Sequence, residues 1–315
     1  MFAGCAALST PPELPATVLD ENCYTSMFLY CSSLTSAPDL PATAMEANCY
    51  NSMFYGCTKL RIPPVLCAQN LADNCFDGMF QNCSSLTAMP AIPSTDIVPE
   101  AAMRNMFYGC KNLRSSATVS LPALSVEDSG YEGMFRDCTY LTKTPQISAE
   151  YVGYRACHYM FNSCSNLTSA TDLPATTISP YCYAGMFQGC TRLVSAAQSL
   201  PATTLKECCY DHMFQRCLVL KSPPAISATT AAISSCSYMF ASCRQLSSAP
   251  DLPATTLAKA SYHYMFDSCS SIVSPPAISA TTLADSCYYC MFAGCKSLTA
   301  APELPVTTLC SNCYH

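Results

Sequence analysis

The sequence predicts a repeat solenoid, twelve coils of about 26 residues stacked along one axis. Three observations carry this. The pair Met-Phe occurs twelve times and marks units starting at residues 1, 27, 53, 79, 106, 134, 160, 186, 213, 239, 265 and 291. Eight of the eleven intervals are 26 residues, two are 27 and one is 28. With the Met of each pair as position 1, position 5 is Cys in every unit and position 8 is Leu in all but one, which has Ile272. Self-similarity at such a period belongs to chains in which each unit buries its apolar face only against its neighbours.

Each part of the unit predicts an element. The unit from Met27 to Ser52 reads MFLYCSSLTSAPDLPATAMEANCYNS. Its Cys-x-x-Leu stretch is short, rich in Ser and Thr, and stopped by Pro, which reads as a parallel strand of about four to six residues. Leu8 and its equivalents then point inward and their neighbours outward. A Pro-rich turn follows, as at Pro12, Pro38 and Pro64, with an aliphatic column through Leu14, Leu40 and Leu66. The last segment reads as a short helix. Leu283, Cys287 and Met291 fall at i, i+4 and i+8, one helical face. The Thr-Thr runs at Thr176-Thr177, Thr203-Thr204, Thr229-Thr230, Thr255-Thr256, Thr281-Thr282 and Thr307-Thr308 then cap it, with glycosylation as the sharper alternative. Strands about 4.8 Å apart stack twelve coils into a rod of roughly 60 Å. One array spans residues 1–315 as a single domain. Extra residues fall near Val119-Ser120 and Gln198-Ser199, and extra residues of a solenoid go into loops. A second cysteine column lies four residues before the Met position, at Cys23, Cys49, Cys75, Cys182, Cys209, Cys287 and Cys313; around Ala101 to Tyr131 it lapses, which predicts the least regular coils.

Composition excludes several classes. Half the residues are hydrophobic and 11% are charged, which argues against disorder. No apolar run approaches the length of a membrane span. A net charge of −6 argues against a general nucleic-acid binder.

Together the Phe-x-x-Cys step, the leucine skeleton at positions 8 and 14, the Pro-rich exit and the run into the next Phe resemble the BspA-like leucine-rich repeats over all 315 residues. The regular Met before Phe and the second cysteine column depart from that pattern. The resemblance implies a leucine-rich-repeat solenoid displayed outside the cell or on its surface, with adhesion and protein or matrix binding as its work. The chain itself carries no secretory signal.

The 25 cysteines invite a disulfide framework. Their pattern points elsewhere. Ala102, Gly130 and Ser261 replace the second-column cysteine while Cys110, Cys138 and Cys269 remain. The position-5 ladder therefore reads as free, buried thiols that pack and donate weak hydrogen bonds. Cys67, Cys208, Cys290 and Cys310 lie outside the columns and read as more exposed. Thiolate and thioether suit Cu(I), but a metal site needs a few ligands, and here the pattern recurs in nearly every coil. His158 beside Cys157, and His212 near Cys208 and Cys209, are the only His/Cys neighbours of note. No nucleophile elbow, phosphate loop or zinc-protease motif occurs. The expectation is a protein without catalytic residues, metal or cofactor.

One charge asymmetry singles out a face. Positions 6 to 11 hold Lys59, Arg61, Lys111, Arg114, Lys143, Arg192, Lys221, Arg244 and Lys296 and no acid in any unit. The rest of the chain holds six bases and all 21 acids. Side-by-side strands gather these bases, with Tyr140 and Asn166, into a candidate binding face for an anionic glycan or an acidic protein patch. Keeping sheet edges apart is their plainer role. The alternative function is structural, with uncapped coils joining head to tail into a filament. Asn82-Cys83-Ser84 and Asn166-Leu167-Thr168 are formal N-glycosylation sequences.

Overall fold

The structure, a computed structural model, describes residues 1–114, 120–304 and 306–315. It is a parallel β-solenoid. Val119, at one of the expected extensions, lies outside the described residues.

Among the described residues ten two-residue strands carry the regular pairing, all of it parallel. β1 (Ile97–Val98), β3 (Ser125–Val126), β5 (Tyr151–Val152) and β6 (Thr177–Ile178) form one four-stranded sheet. β2 (Ser120–Leu121) pairs β4 (Gln146–Ile147), β7 (Ser199–Leu200) pairs β8 (Ala225–Ile226), and β9 (Thr230–Ala231) pairs β10 (Thr256–Leu257). In each strand the second residue is buried and the first faces outward, the two-residue alternation of extended chain. Registers such as Tyr151↔Thr177 and Gln146↔Ser120 equal one repeat, so pairing is always between successive coils.

The strands do not sit where the sequence placed them. The Cys-x-x-Leu segment is a turn, closed by the Leu34 N–H donating to the Cys31 carbonyl at 3.0 Å. Single bridges begin just past it, at Ser36↔Ile62 and Lys143↔Ser169. Full pairs lie farther on, at the aliphatic column (Leu121, Ile147, Leu200, Ile226) and at the Thr column. The second Thr of five of the runs, at Thr177, Thr204, Thr230, Thr256 and Thr282, is a strand or bridge residue and not a helix cap. The four-stranded sheet also crosses the stretch from Ile97 to Val126, where less regular coils were expected.

The expected short helix is absent: none of the described residues is helical. A spiral of turns replaces it. Within one coil the N–H groups of Cys49, Met53 and Cys57 donate to the carbonyls of Glu46, Tyr50 and Phe54, three residues back. The N–H groups of Asn48, Tyr50, Ser52, Phe54 and Gly56 donate instead to the next coil, at Asp73, Cys75, Asp77, Met79 and Gln81, over 2.8–3.0 Å. The third residue of turns 46–49, 50–53 and 54–57 is left-handed: Asn48 at φ 58°, Ser52 at 53° and Gly56 at 71°, as a type II turn requires. The pattern recurs along the chain, from Asn22 and Ser26 to Ser286 and Gly294.

The reason lies in a shared period. Left-handed residues recur every fourth position, so apolar residues at i, i+4 and i+8 share one side here as they would on a helix. Sequence periodicity cannot separate the two. Hydrogen bonding does. A helix satisfies its own N–H groups and is about 10 Å wide, twice the roughly 4.8 Å between paired strands. The turn spiral shares half of its bonds with the next coil and fits the narrower spacing.

The core follows the sequence columns. Phe rings stack without a break from Phe2 through Phe28, Phe54 and onward to Phe292, with centroids 5.3–5.6 Å apart. That separation is within the range of offset-stacked aromatic pairs. Leu34, Leu60, Leu141 and Leu167 are fully buried beside them.

Candidate functional site

The position 6 to 10 segment leaves the Cys–Leu turn and at once meets its neighbours in parallel. Thr168 N–H donates to Thr142 O at 2.9 Å, Val194 N–H to Thr168 O at 3.0 Å and Lys221 N–H to Val194 O at 3.4 Å. Lys143, Ser169, Ser195 and Ser222 bridge in unbroken register beside them. Arg61 and Arg114 continue the same row, with N–H groups donating to Thr35 O and Thr87 O. The leucine between positions 7 and 9 points inward, so positions 7 and 9 both point out.

All ten residues of the expected face are exposed: Lys59, Arg61, Lys111, Arg114, Tyr140, Lys143, Arg192, Lys221, Arg244 and Lys296. The structure brings two of them to one feature. Tyr140, in one coil, and Arg192, two coils on, line a shallow open depression with Thr142, Asn166, Thr168, Val194 and Val219. Asn166 organises it. Its Nδ2 donates to Thr139 O at 2.7 Å and its Oδ1 accepts from Arg192 Nη1 at 2.8 Å. The guanidinium of exposed Arg192 is thereby oriented. Engagement of Nδ2 also weakens Asn166 as a glycan acceptor. Lys59, Arg61, Lys111, Arg114, Arg244 and Lys296 lie along the row outside this depression. Thr142, Val194 and Val219 were not singled out from the sequence, and Thr168 only as part of a glycosylation sequence. Their signal is membership of the same two outward columns.

The turn spiral carries the ion pairs of the described residues. Arg104 meets Asp77 at 2.7 Å, and Glu132 meets both Arg155 (2.7 Å) and His158 (3.1 Å). Burial disfavours the Glu132 carboxylate, yet hydrogen bonds from His158 and Ser129 and the Arg155 charge leave its pKa below the usual value. His212 bonds Asp211 at 2.7 Å and stacks on Tyr238.

The cysteines form a hydrogen-bonded ladder. Each position-5 thiol from Cys31 onward donates to the Phe carbonyl of the coil before it, as Cys57 to Phe28 O at 3.1 Å and Cys164 to Phe135 O at 3.1 Å. All 25 cysteines are free, and 18 are buried. Burial pushes the thiols up, to about 12 for Cys57 and Cys157. Of the four cysteines expected to be more accessible, Cys67 is exposed and Cys208, Cys290 and Cys310 are half-buried.

Fold and face together define a parallel solenoid repeat protein with one basic, acid-free outer row. No family model matches the chain, and no curated protein matches it. Its neighbours among solved structures include bacterial leucine-rich repeat proteins. One, from Bacteroides ovatus, is 16% identical, with 89% of this chain and 80% of that chain covered, at a TM-score of 0.32. A leucine-rich cell surface protein from Faecalibacterium prausnitzii is 15% identical, covering 92% and 83%, at 0.28. A third, from Eubacterium ventriosum, is 15% identical, covering 78% and 62%, at 0.29. Likeness at this level carries no function to the present chain.

Proposed function

We propose that this chain is a non-enzymatic recognition solenoid, one domain displayed at a cell surface or outside the cell. It binds an anionic glycan or acidic protein patch through its basic row. The supporting observation is the segregation of charge onto one ordered, exposed ladder. Nine bases and no acid occupy positions 6 to 11, and backbone bonds between coils hold those positions in register. Complementary potential of this kind raises association rates and selects partners by sign.

The test is capture from glycan and protein panels with the wild type and with the triple reversal Arg61→Glu, Arg114→Glu, Arg192→Glu. Binding by the wild type should weaken as salt rises, since exposed charges are screened. The triple variant should lose at least about tenfold in affinity. Unchanged binding would remove the basic row as the binding face.

One observation favours a second, structural reading. Phe292 ends the described ring stack beside an apolar depression lined by Ile278, Tyr288, Met291 and Tyr314. A further coil or another copy of the chain would continue the stack there, and head-to-tail addition that does not close makes a filament. Electron microscopy at high protein concentration decides this. Discrete short particles would rule filaments out.

A further inference from the structure

Charge divides each coil into three stretches. Positions 6 to 11 hold nine bases and no acid. Positions 12 to 19, from the Pro-rich turn through the Thr column, hold the reverse. Glu13, Asp39, Asp96, Glu150, Asp172, Asp251 and Glu303 lie there, with no base in any unit, and all seven are exposed. The rest of each coil, the turn spiral, holds fourteen acids and six bases. A basic strip and an acidic strip therefore run next to each other along the stacking axis. We propose that the basic row docks on the acidic strip of a second copy of this chain, in a dimer whose two-fold axis runs parallel to the stacking axis. The inference names the acidic protein patch as the chain's own, and it rests on the basic row being an anion-binding face.

Symmetry selects the arrangement. A two-fold axis along the stack exchanges the two strips and keeps the stacking direction, so each basic strip faces the other copy's acidic strip and both contacts form at once. A two-fold axis across the strips reverses the stack and sets base on base, which is unfavourable. The axial placement of the charges agrees. In parallel stacks coil faces coil. Lys143 and Glu150 share the sixth coil, Arg244 and Asp251 the tenth, and Lys296 and Glu303 the twelfth. Every other base of the row lies one coil from an acid, as Arg192 in the eighth coil does from Asp172 in the seventh. One coil is roughly 4.8 Å, within reach of a long basic side chain. An acidic surface of another fold has no reason to repeat at the coil spacing. This strip does, because the same coils build it.

Two groups are ordered before contact. Asn166 Oδ1 holds Arg192 Nη1 at 2.8 Å. The Gln198 N–H donates to Asp172 Oδ1 at 3.0 Å, which leaves that carboxylate further acceptor sites for a guanidinium. Ordering in advance lowers the cost of binding. Arg192 against Asp172 of the second copy is therefore the anchoring pair, and the two-fold makes it twice.

Sedimentation velocity of the full chain in reductant, at high protein concentration, tests this. The wild type should run as a dimer at about 0.01 M salt and as the 33.9 kDa monomer at about 1 M, where the Debye length is only about 3 Å. Arg192→Glu with Arg244→Glu, and Asp172→Lys with Asp251→Lys, should each weaken dimerisation at low salt at least about tenfold. An equal mixture of the two variants should dimerise again, because each presents the charge the other lacks, and this recovery also shows that both fold. A wild type that is monomeric at low salt overturns the dimer. If polyglutamate still binds that monomer, the anion-binding face stands; if it does not, the face falls too. A dimer indifferent to salt or to either reversal, a mixture that stays monomeric, or assemblies of more than two copies overturn this pairing.

Discussion

At the residue scale, the position-5 cysteine and the position-2 phenylalanine work as one device. The Phe28 carbonyl accepts the Cys31 N–H from its own coil at 3.0 Å and the Cys57 thiol from the next coil at 3.1 Å. Both lone pairs of a buried carbonyl are used, which removes the cost of leaving it unsatisfied. Cysteine suits the position because it is small, buried without penalty, and still a weak donor. Cys164→Ala should cost about 1–2 kcal/mol, from the lost thiol bond and a small void, measured by chemical denaturation. Thiol labelling under native conditions should be confined to exposed Cys5 and Cys67 and the half-buried Cys23, Cys208, Cys290, Cys295 and Cys310. Rapid native labelling of the remaining eighteen would contradict the ladder.

At the element scale, the turn spiral depends on left-handed residues at every fourth position. Asn, Ser and Gly fill many of these positions, as Asn48, Ser52 and Gly56 do, and of these Gly and Asn adopt positive φ at least cost. Gly185 is the sharpest case. Its φ is 60°, and an added Cβ would run into the Tyr159 ring of the preceding coil. That ring is held in turn against the Arg136 guanidinium, 5.3 Å from its centroid. Gly185→Ala should destabilise by about 1–3 kcal/mol, whereas Gly4→Ala, with open space around it, should cost less. Equal losses at the two sites would show that backbone strain alone matters. Far-ultraviolet circular dichroism separates the spiral from a helix directly. The helical double minimum should be missing, and its presence would restore the sequence expectation.

At the scale of the whole molecule, buried thiols and tyrosines set the response to pH. Burial raises the thiol pKa of Cys57, Cys75, Cys157 and Cys209 from 9.0 to about 12. Below about 9 these groups are neutral both folded and unfolded, and their contribution to stability is complete. Above it the unfolded chain ionises while the folded chain does not, so stability falls as pH rises toward 12. The melting temperature should be level from about pH 7 to 8.5 and decline steeply beyond 9. A melt insensitive to pH between 9 and 11 would show that these thiols are not held in the core.

The repeat length, the inward columns of Phe, Cys and Leu, the free state of the thiols and the acid-free outer row are all legible in the residues themselves, because each is a matter of composition at a fixed period. Only the tertiary structure decided where the backbone bonds go. A four-residue apolar period serves a helix and a turn spiral equally, so Leu283, Cys287 and Met291 could not distinguish them. The choice rests on carbonyls one coil away, which the local sequence does not display. The same holds for the strands. Pairing moved from the Cys–Leu step to the aliphatic and Thr columns because the step closes on itself as a turn. It holds also for the depression, which needs Tyr140, Asn166 and Arg192 from three successive coils. Residue types along the chain determined what each coil can bury and present. The stacking of one coil on the next decided how those coils bond and which outward side chains meet.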